Sequence, residues 1–498
     1  MKTPMLIRAV VAAGILVVGT VVAGPASAET PAPRPQQHGR WLVDPDGRVL
    51  VLHGVNMVTK SGSYAPSSTG FGADDAAFLA DQGLTTVRLG LIWKAVEPSP
   101  GQYDDAYLAD IKQTTDLLAA EGIWTLLDFH QDLYNEKYQG EGAPDWAVQD
   151  DGRPNQPQAG FPFNYFVNLA LNRAFDHFWK NDPGPGGVGL QDRYAASWRH
   201  VAEYFGSTPG VMGFDLFNEP WPGTGYALCA NPAGCPAFDR KLSAFSQRAH
   251  DAIRTVDPRT VTYYEPNVLF NSGARTFVKV AGDDLGFSFH DYCLADLVGG
   301  TVPLGVDRPV CLTLDAVLWS NMERHVKQRS VTPLLTEFGA SDNLTSLADM
   351  VDRAAKHRTG WQYWAYCGCA DPTTTGSGDK QALVLDPQQA PTGSNVKTDK
   401  LRTLAIPHPT AVAGTPTSYA FNRTTGRFTL TYTSLKAAGG GRFPAGSQTT
   451  VATPAIQYPS GYTVNVTGAT VVSAPNAAEL VLEQGPGTAP IRVTVTKG

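Results

Sequence analysis

The sequence predicts a (β/α)8 barrel followed by a small β-sandwich, and three observations carry that prediction. Eight short apolar runs alternate with amphipathic helical stretches over about 370 residues. Two of the runs end abruptly in a glutamate, Glu219 in FDLFNEPW and Glu337 in LLTEFGA. Beyond His408-Pro409 the pattern changes to strand-like alternation between turn residues. A doubly wound open sheet is the rival to the barrel, but no glycine-rich phosphate loop follows the first strand.

The chain has 498 residues, room for two or three domains and a large core. Lys2 and Arg8 lead into the apolar stretch Ala9 to Ala23, and Ala26-Ser27-Ala28 offers a small-residue cleavage site. Residues 1–28 therefore read as a secretory signal peptide cleaved near Ala28. A membrane anchor is the alternative, but the run is short and broken by Gly14 and Gly19. It has no cysteine for lipid attachment, and no later stretch is apolar enough to span a bilayer. The mature protein is expected to be secreted, with no stable membrane insertion. Residues 29–40 begin proline-rich and are expected to be disordered. Trp41 to Arg48 reads as a hairpin with Asp46-Gly47 at the turn.

The barrel is assigned to 41–407. Its strands are placed at Leu50 to Val55, Thr85 to Gly90, Ile123 to Phe129 and Val211 to Phe217. They continue at Thr260 to Glu265, Leu285 to His290, Thr332 to Phe338 and Trp361 to Tyr366. Helical periodicity marks Asp104 to Glu121, Leu190 to Phe205, Phe238 to Val256 and Leu344 to His357. The connection from Gln131 to Leu190 is rich in glycine, proline and aromatics with little continuous periodicity. It is expected to lie over the barrel mouth. A linker is placed at 408–416 and a β-sandwich at 417–498, where Phe428, Leu430 and Tyr432 alternate with threonines.

A net charge of −7 argues against a nucleic-acid partner. Six cysteines in an exported chain suggest disulfides. Proximity favours Cys229 with Cys235 and Cys293 with Cys311, while Cys367 and Cys369 either close a small ring or pair elsewhere. No convincing zinc spacing is present, so no metal is expected. No cofactor is implied, and a monomer is expected.

Retaining cleavage of a glycoside needs one carboxyl protonated and one ionised, about 5–5.5 Å apart. Surroundings set the two apart, because burial and a neighbouring charge raise one pKa and leave the other low. Asn218, just before Glu219, is suited to hydrogen-bond the sugar hydroxyl next to the reacting carbon. Adjacent strand residues face opposite sides, so both reach one cleft only where the strand ends, and Pro220 supplies that ending.

Asn218-Glu219-Pro220, with Glu337 in TEFG, resembles glycoside hydrolase family 5 of the retaining (β/α)8 clan. Arg88 in TTVRLG, His130 in LLDFHQD, His290 and Tyr292 in FSFHDY and Trp364 in GWQYW agree with it. The resemblance runs from about Trp41 to Ala405. It implies Glu219 as acid/base and Glu337 as nucleophile. Tyr292 would hydrogen-bond Glu337 with Arg88 lending positive charge beneath. Asn218, His130 and His290 would orient the sugar and the acid/base, and Trp364 would floor the pyranose. On pattern alone Arg88 is equally a core ion-pair partner, and Trp364 packing.

Within that family the chain is similar to the endoglycoceramidases, which release an intact oligosaccharide from a glycosphingolipid. HGVNMVTKSGSYAP, GLIWKAVEPSPGQYD and LLDFHQDLYNEKYQGEGAPDWAV carry the similarity, and the terminal sandwich agrees. It implies Lys60 and Asp132 on the sugar joined to ceramide, a surface salt bridge being the alternative. The partner is then a glycosphingolipid presented in micelles or membranes. Leu133, Tyr134, Trp146, Phe161, Phe163, Tyr165 and Phe166 would form a lipid wall or pack on the barrel, as would Val298, Val302 and Leu304. An endo-β-glucanase with the same catalytic residues is the alternative enzyme, and a non-catalytic glycolipid-binding protein the alternative of another class.

Overall fold

The computed structural model describes Met1 and residues 33–292, 307–374 and 378–498. Its centre is a closed barrel of eight parallel strands: β4 (His53–Met57), β5 (Thr86–Ile92), β6 (Trp124–His130), β7 (Val211–Asp215), β8 (Val261–Tyr264), β9 (Leu285–Asp291), β10 (Thr332–Phe338) and β11 (Gly360–Tyr363). Each neighbours the next and β11 closes on β4 through Trp361 opposite His53. The strands are buried on both faces, which is why they read as continuous apolar runs rather than alternating ones.

The predicted helices stand at Asp105–Ala120, Leu190–Tyr204, Pro236–Arg254 and Leu344–His357. The expected first strand is displaced: β3 (Val49–Leu50) belongs to another sheet, and the barrel begins at His53. The connection after β6 holds a helix that sequence reasoning missed, Leu169–Lys180. Asn168 caps it, its side chain accepting from the Leu171 N–H at 3.0 Å. Leu171, Ala174, Phe175 and Phe178 form its buried stripe, and Phe178 meets Tyr194, Phe217 and Phe245 edge-on or tilted.

Two further sheets form the sandwich. One orders β13 (Thr415–Asn422), β14 (Arg427–Thr433), β19 (Ile491–Lys497) and β16 (Tyr462–Thr467). The other joins both ends of the chain: β1 (Gln36–His38), β2 (Trp41–Val43), β3, β12 (His408–Val412), β15 (Gln448–Ala452), β18 (Glu479–Gln484) and β17 (Ala469–Val471). Two expectations are thereby corrected. The segment placed as a linker, 408–416, is mostly strand, because Ala411 and Val412 pair with Leu50 and Val49. Within 29–40, the described part is ordered: Gln36–His38 pairs with Trp41–Val43. Arg34 also anchors it, its Nη1 2.9 Å from Asp257 Oδ2. The expected Asp46-Gly47 turn is present, with Gly47 N–H on Asp44 O at 2.8 Å and φ of +81°. The signal peptide lies outside the described residues.

Cys229–Cys235 and Cys367–Cys369 are disulfides. Cys293, assigned to Cys311, lies outside the described residues. No helix among the described residues is long and apolar enough to cross a membrane.

Candidate active site

Strand ends place the acids. β7 finishes at Asp215, and the chain runs through Leu216 and Phe217 to Asn218 and Glu219, both of which line the cleft at the barrel mouth. Glu219 has φ of +44°, a left-handed conformation that a non-glycine residue adopts at a cost of order 1–3 kcal/mol. Its N–H is held at 2.9 Å by Glu265 Oε2, which fixes that turn. On the opposite strand a bulge between Leu335 and Glu337 shifts the register so that Glu337 pairs with His290. Carboxylate oxygens of Glu219 and Glu337, with a ring nitrogen of His290, lie within 4.8 Å of one another. That separation fits a covalent displacement and leaves too little room for the intervening water of an inverting enzyme.

Unequal surroundings distinguish the two carboxyls. Glu337 accepts from Arg88 Nη1 at 2.6 Å and from the Tyr292 hydroxyl at 2.8 Å. The Tyr292 phenol stays protonated, its pKa pushed well up by burial and by Glu337. Glu219 accepts from Asn271 Nδ2 at 3.1 Å and has His290 Nδ1 at 2.9 Å from Oε1. Burial raises its pKa, the His290 contact opposes this, and the nearby Glu337 charge adds to the rise.

Arg88 is the hub beneath. Fully buried on β5, it reaches Asp215 at 2.9 Å, Asp128 at 3.0 Å, Glu265 at 3.1 Å and Asn218 Oδ1 at 3.0 Å. With Glu337 and with Asn56 Oδ1 at 3.3 Å, six oxygen partners on or just beyond β4, β6, β7, β8 and β10 converge on one planar cation, so the arginine is both a core ion-pair partner and a floor for the site. Asp215 shows the strain of so many acids: burial first, then Glu265 and Asp128, push it up to about 8 against the pull of Arg88. His290 is the second cation. Burial would lower its pKa, but Glu265, Glu337 and Glu219 together hold it well above the usual value.

Elsewhere in the cleft, Lys60 and Asp132 are buried and bonded at 2.7 Å, so the surface salt bridge is excluded. Lys60 Nζ also donates to Thr373 Oγ1 at 2.7 Å and sits 4.4 Å above the Trp364 ring. Lys60, Asp132 and Trp364 all line the cleft. His130 does not; it is one layer lower, its Nδ1 2.7 Å from Asp128 Oδ2 and its ring stacked 5.2 Å from Trp364. Against the effect of burial, Asp128 pushes its pKa up to about 9. Its Nε2 is 3.4 Å from Asn218 Nδ2 and 3.6 Å from Asp132, so it positions residues that face the cleft.

Two acid clusters could in principle hold a cation: His130, Asp132 and Glu141, and Glu219, His290 and Glu337. In the first, Lys60 Nζ stands 2.7 Å from Asp132 and 3.9 Å from Glu141 and supplies the charge. In the second, Arg88 and His290 do so.

The cleft is about 310 Å³, and its lining includes the apolar residues Phe161, Pro162, Phe163, Phe166, Val268 and Leu269. Phe163 and Phe166 are 56% and 46% exposed, unusual for large rings. Of the residues expected either to line a lipid wall or to pack on the barrel, Leu133 and Tyr134 are buried in the core, and Trp146 packs edge-on against Trp93. Val298, Val302 and Leu304 lie outside the described residues.

Glu265 was missed from the sequence although VTYYEPN repeats the apolar run, glutamate and proline that mark Glu219. Asn271, Thr373 and Gln381 carried no such signal, since each sits on a loop or a one-turn helix whose approach to the cleft depends on the fold.

Residues 43–369 match the family described as Cellulase (glycosyl hydrolase family 5), and residues 407–496 match its C-terminal domain. The chain belongs to glycosyl hydrolase family 5. This family 5 enzyme, an O-glycosyl hydrolase, is 33% identical over 478 residues to endoglycoceramidase I of Rhodococcus hoagii (strain 103S), covering 94% of this chain and 89% of that one. Endoglycoceramidase of Cyanea nozakii is 30% identical, covering 78% and 79%. A solved structure of endo-glycoceramidase II from Rhodococcus sp. with a five-membered iminocyclitol superposes with a TM-score of 0.76 at 30% identity, covering 92% of this chain and 99% of that one. The lactosyl-enzyme intermediate of that protein gives a TM-score of 0.74 at 29% identity over the same shares.

Proposed function

We propose that this enzyme hydrolyses the β-glycosidic bond between oligosaccharide and ceramide in glycosphingolipids, with retention. The observation that carries the reading is a cleft of mixed lining around a close pair of carboxyls. Lys60, Asp132 and Trp364 line it together with the apolar rings Phe161, Phe163 and Phe166, and Glu219 and Glu337 lie with them. Polar groups and apolar rings in one cleft suit a molecule that is sugar at one end and hydrocarbon at the other.

In the first step a Glu337 oxygen forms a bond to the anomeric carbon as the bond to the ceramide oxygen breaks. The Glu219 proton passes to that leaving oxygen. In the second, Glu219 takes a proton from water, the water oxygen bonds to the anomeric carbon, and Glu337 leaves as carboxylate. The lactosyl-enzyme form of the Rhodococcus relative is a species of the kind this scheme requires. Asn218 and His290 would orient the sugar and Glu219, Trp364 would floor the sugar ring, and His130 would hold Asn218 and Trp364 in place.

Substrate would be met at micelles or membranes by a monomer. Export with removal of residues 1–28 accords with the two disulfides among the described residues; N-terminal sequencing of the mature protein tests it. Incubation with a glycosphingolipid and with a soluble cellulose derivative tests the substrate. Release of free ceramide with intact oligosaccharide is expected, and cleavage of the cellulose derivative alone would overturn the reading. Glu337→Gln should lower kcat by about 10⁴-fold or more.

A further inference from the structure

At one end the cleft is bounded by Lys60 and by the segment carrying Thr373 and Gln381. Beside it lies a second, more open groove of about 640 Å³. Thr59 and Ser61, the neighbours of Lys60, line this groove, as do Cys369 and Ala370, just before Asp371. The two segments that divide the hollows are tied together by the Lys60–Thr373 bond of 2.7 Å. Within the second segment's loop the backbones of Gly368 and Gly378 touch, since a Cβ on Gly368 would meet the Gly378 carbonyl at 2.7 Å. The groove thus adjoins the Lys60 end of the cleft, and none of Phe161, Phe163 and Phe166 lines it.

Its chemistry is one-sided. Hydroxyls of Ser61, Ser63 and Thr69 and the amide of Gln388 offer donors and acceptors, and Asp379 and Asp386 are its charged groups. Among its described lining residues there is no lysine, arginine or aromatic ring. Such a surface can exchange hydrogen bonds with neutral hydroxylated rings, and it repels a carboxylate.

With glycosyl ceramides as substrates, as proposed above, we propose that this groove binds the sugars of the headgroup that lie beyond the cleft, and that it selects neutral over sialylated chains. Each added neutral ring gains hydrogen bonds along the hydroxyl wall. A sialic acid carboxylate placed there faces Asp379 and Asp386 with no cation to receive it.

The test uses the full chain and three ceramides in the same detergent micelles, carrying a disaccharide, that disaccharide extended to a neutral tetrasaccharide, and that disaccharide extended by one sialic acid. The neutral tetrasaccharide should exceed the disaccharide in kcat/KM by about two- to tenfold, the effect of one or two neutral hydrogen bonds, and the sialylated chain should fall below it. Ser63→Trp, an exposed position, should abolish the gain while leaving the disaccharide rate unchanged, which also reports intact folding. Asp379→Lys, also exposed, should raise the sialylated rate. Equal rates on all three substrates, or a gain untouched by Ser63→Trp, would overturn the proposal. Failure to cleave any of the three would instead overturn the assignment of ceramide substrates.

Discussion

Arg88 Nη1 donates to Oε1 of Glu337 at 2.6 Å, from a guanidinium with no exposure to solvent. The same cation contacts Asp128, Asp215 and Glu265, so its loss leaves several buried acids facing one another. Arg88→Met should therefore destabilise the barrel by about 3–5 kcal/mol as well as disable catalysis. Arg88→Lys should recover charge but not the forked contacts, giving intermediate stability and kcat still depressed. Urea unfolding alongside kcat on an aryl glycoside checks both.

Glu219 owes its role to a carboxyl pKa raised above the ordinary 4.5 by burial. The group works as the acid while protonated, so a raised pKa carries activity to higher pH, and kcat/KM should fall as pH rises through it. Glu219→Ala should lose most activity on a poor leaving group. On an aryl glycoside with a good one, glycosylation should persist and the alkaline fall that Glu219 imposes should vanish. Retention of that fall in the variant would assign it to another group.

Phe163 and Phe166 stand in the open at the cleft. Phe163→Ser with Phe166→Ser should raise KM for a ceramide-linked substrate by about tenfold, a loss of roughly 1.4 kcal/mol from two half-buried rings. Kinetics on a small aryl glycoside, which lacks a lipid, should stay the same.

A histidine pair joins barrel to sandwich. His53 on β4 stacks on His408 of β12 at 3.6 Å and on Trp361 at 4.5 Å, with Tyr419 OH 3.4 Å from its Nε2. Burial lowers both pKa values, that of His408 to about 4 from 6.5. Both rings are neutral in the folded state. Stability is full above about pH 6.5 and is lost as pH falls toward 4, because only the unfolded chain takes up the protons; His408 alone accounts for roughly 3 kcal/mol. Melting temperature should drop over that window, and His408→Phe should shrink the drop.

Much of this was legible in the residues. Glu219 and Glu337 announced themselves because a barrel strand buried on both faces must be apolar to its end, so a glutamate there stands out. The same rule, applied to VTYYEPN, would have found Glu265. His130, expected to orient the sugar, does not line the cleft, because Asp128 holds its ring stacked against Trp364. Helix Leu169–Lys180 was hidden by its polar and proline-rich flanks, and its stripe emerges only once its boundaries are known. The strand at His408–Val412 was unreadable for a different reason. Pro409 lies among its five residues and Pro407 just before them, which reads as a linker, and its partners Val49 and Leu50 lie some 360 positions away. Pairing over that distance leaves no mark in a local window.

That distant pairing has a bearing on biosynthesis. The β3–β12 ladder cannot form until the ribosome has made almost the whole polypeptide, and closing so long a loop is slow. Synthesis therefore yields a chain with an unfinished sheet for most of its length. The nascent chain carries a bare strand edge along β3 until β12 arrives to cover it.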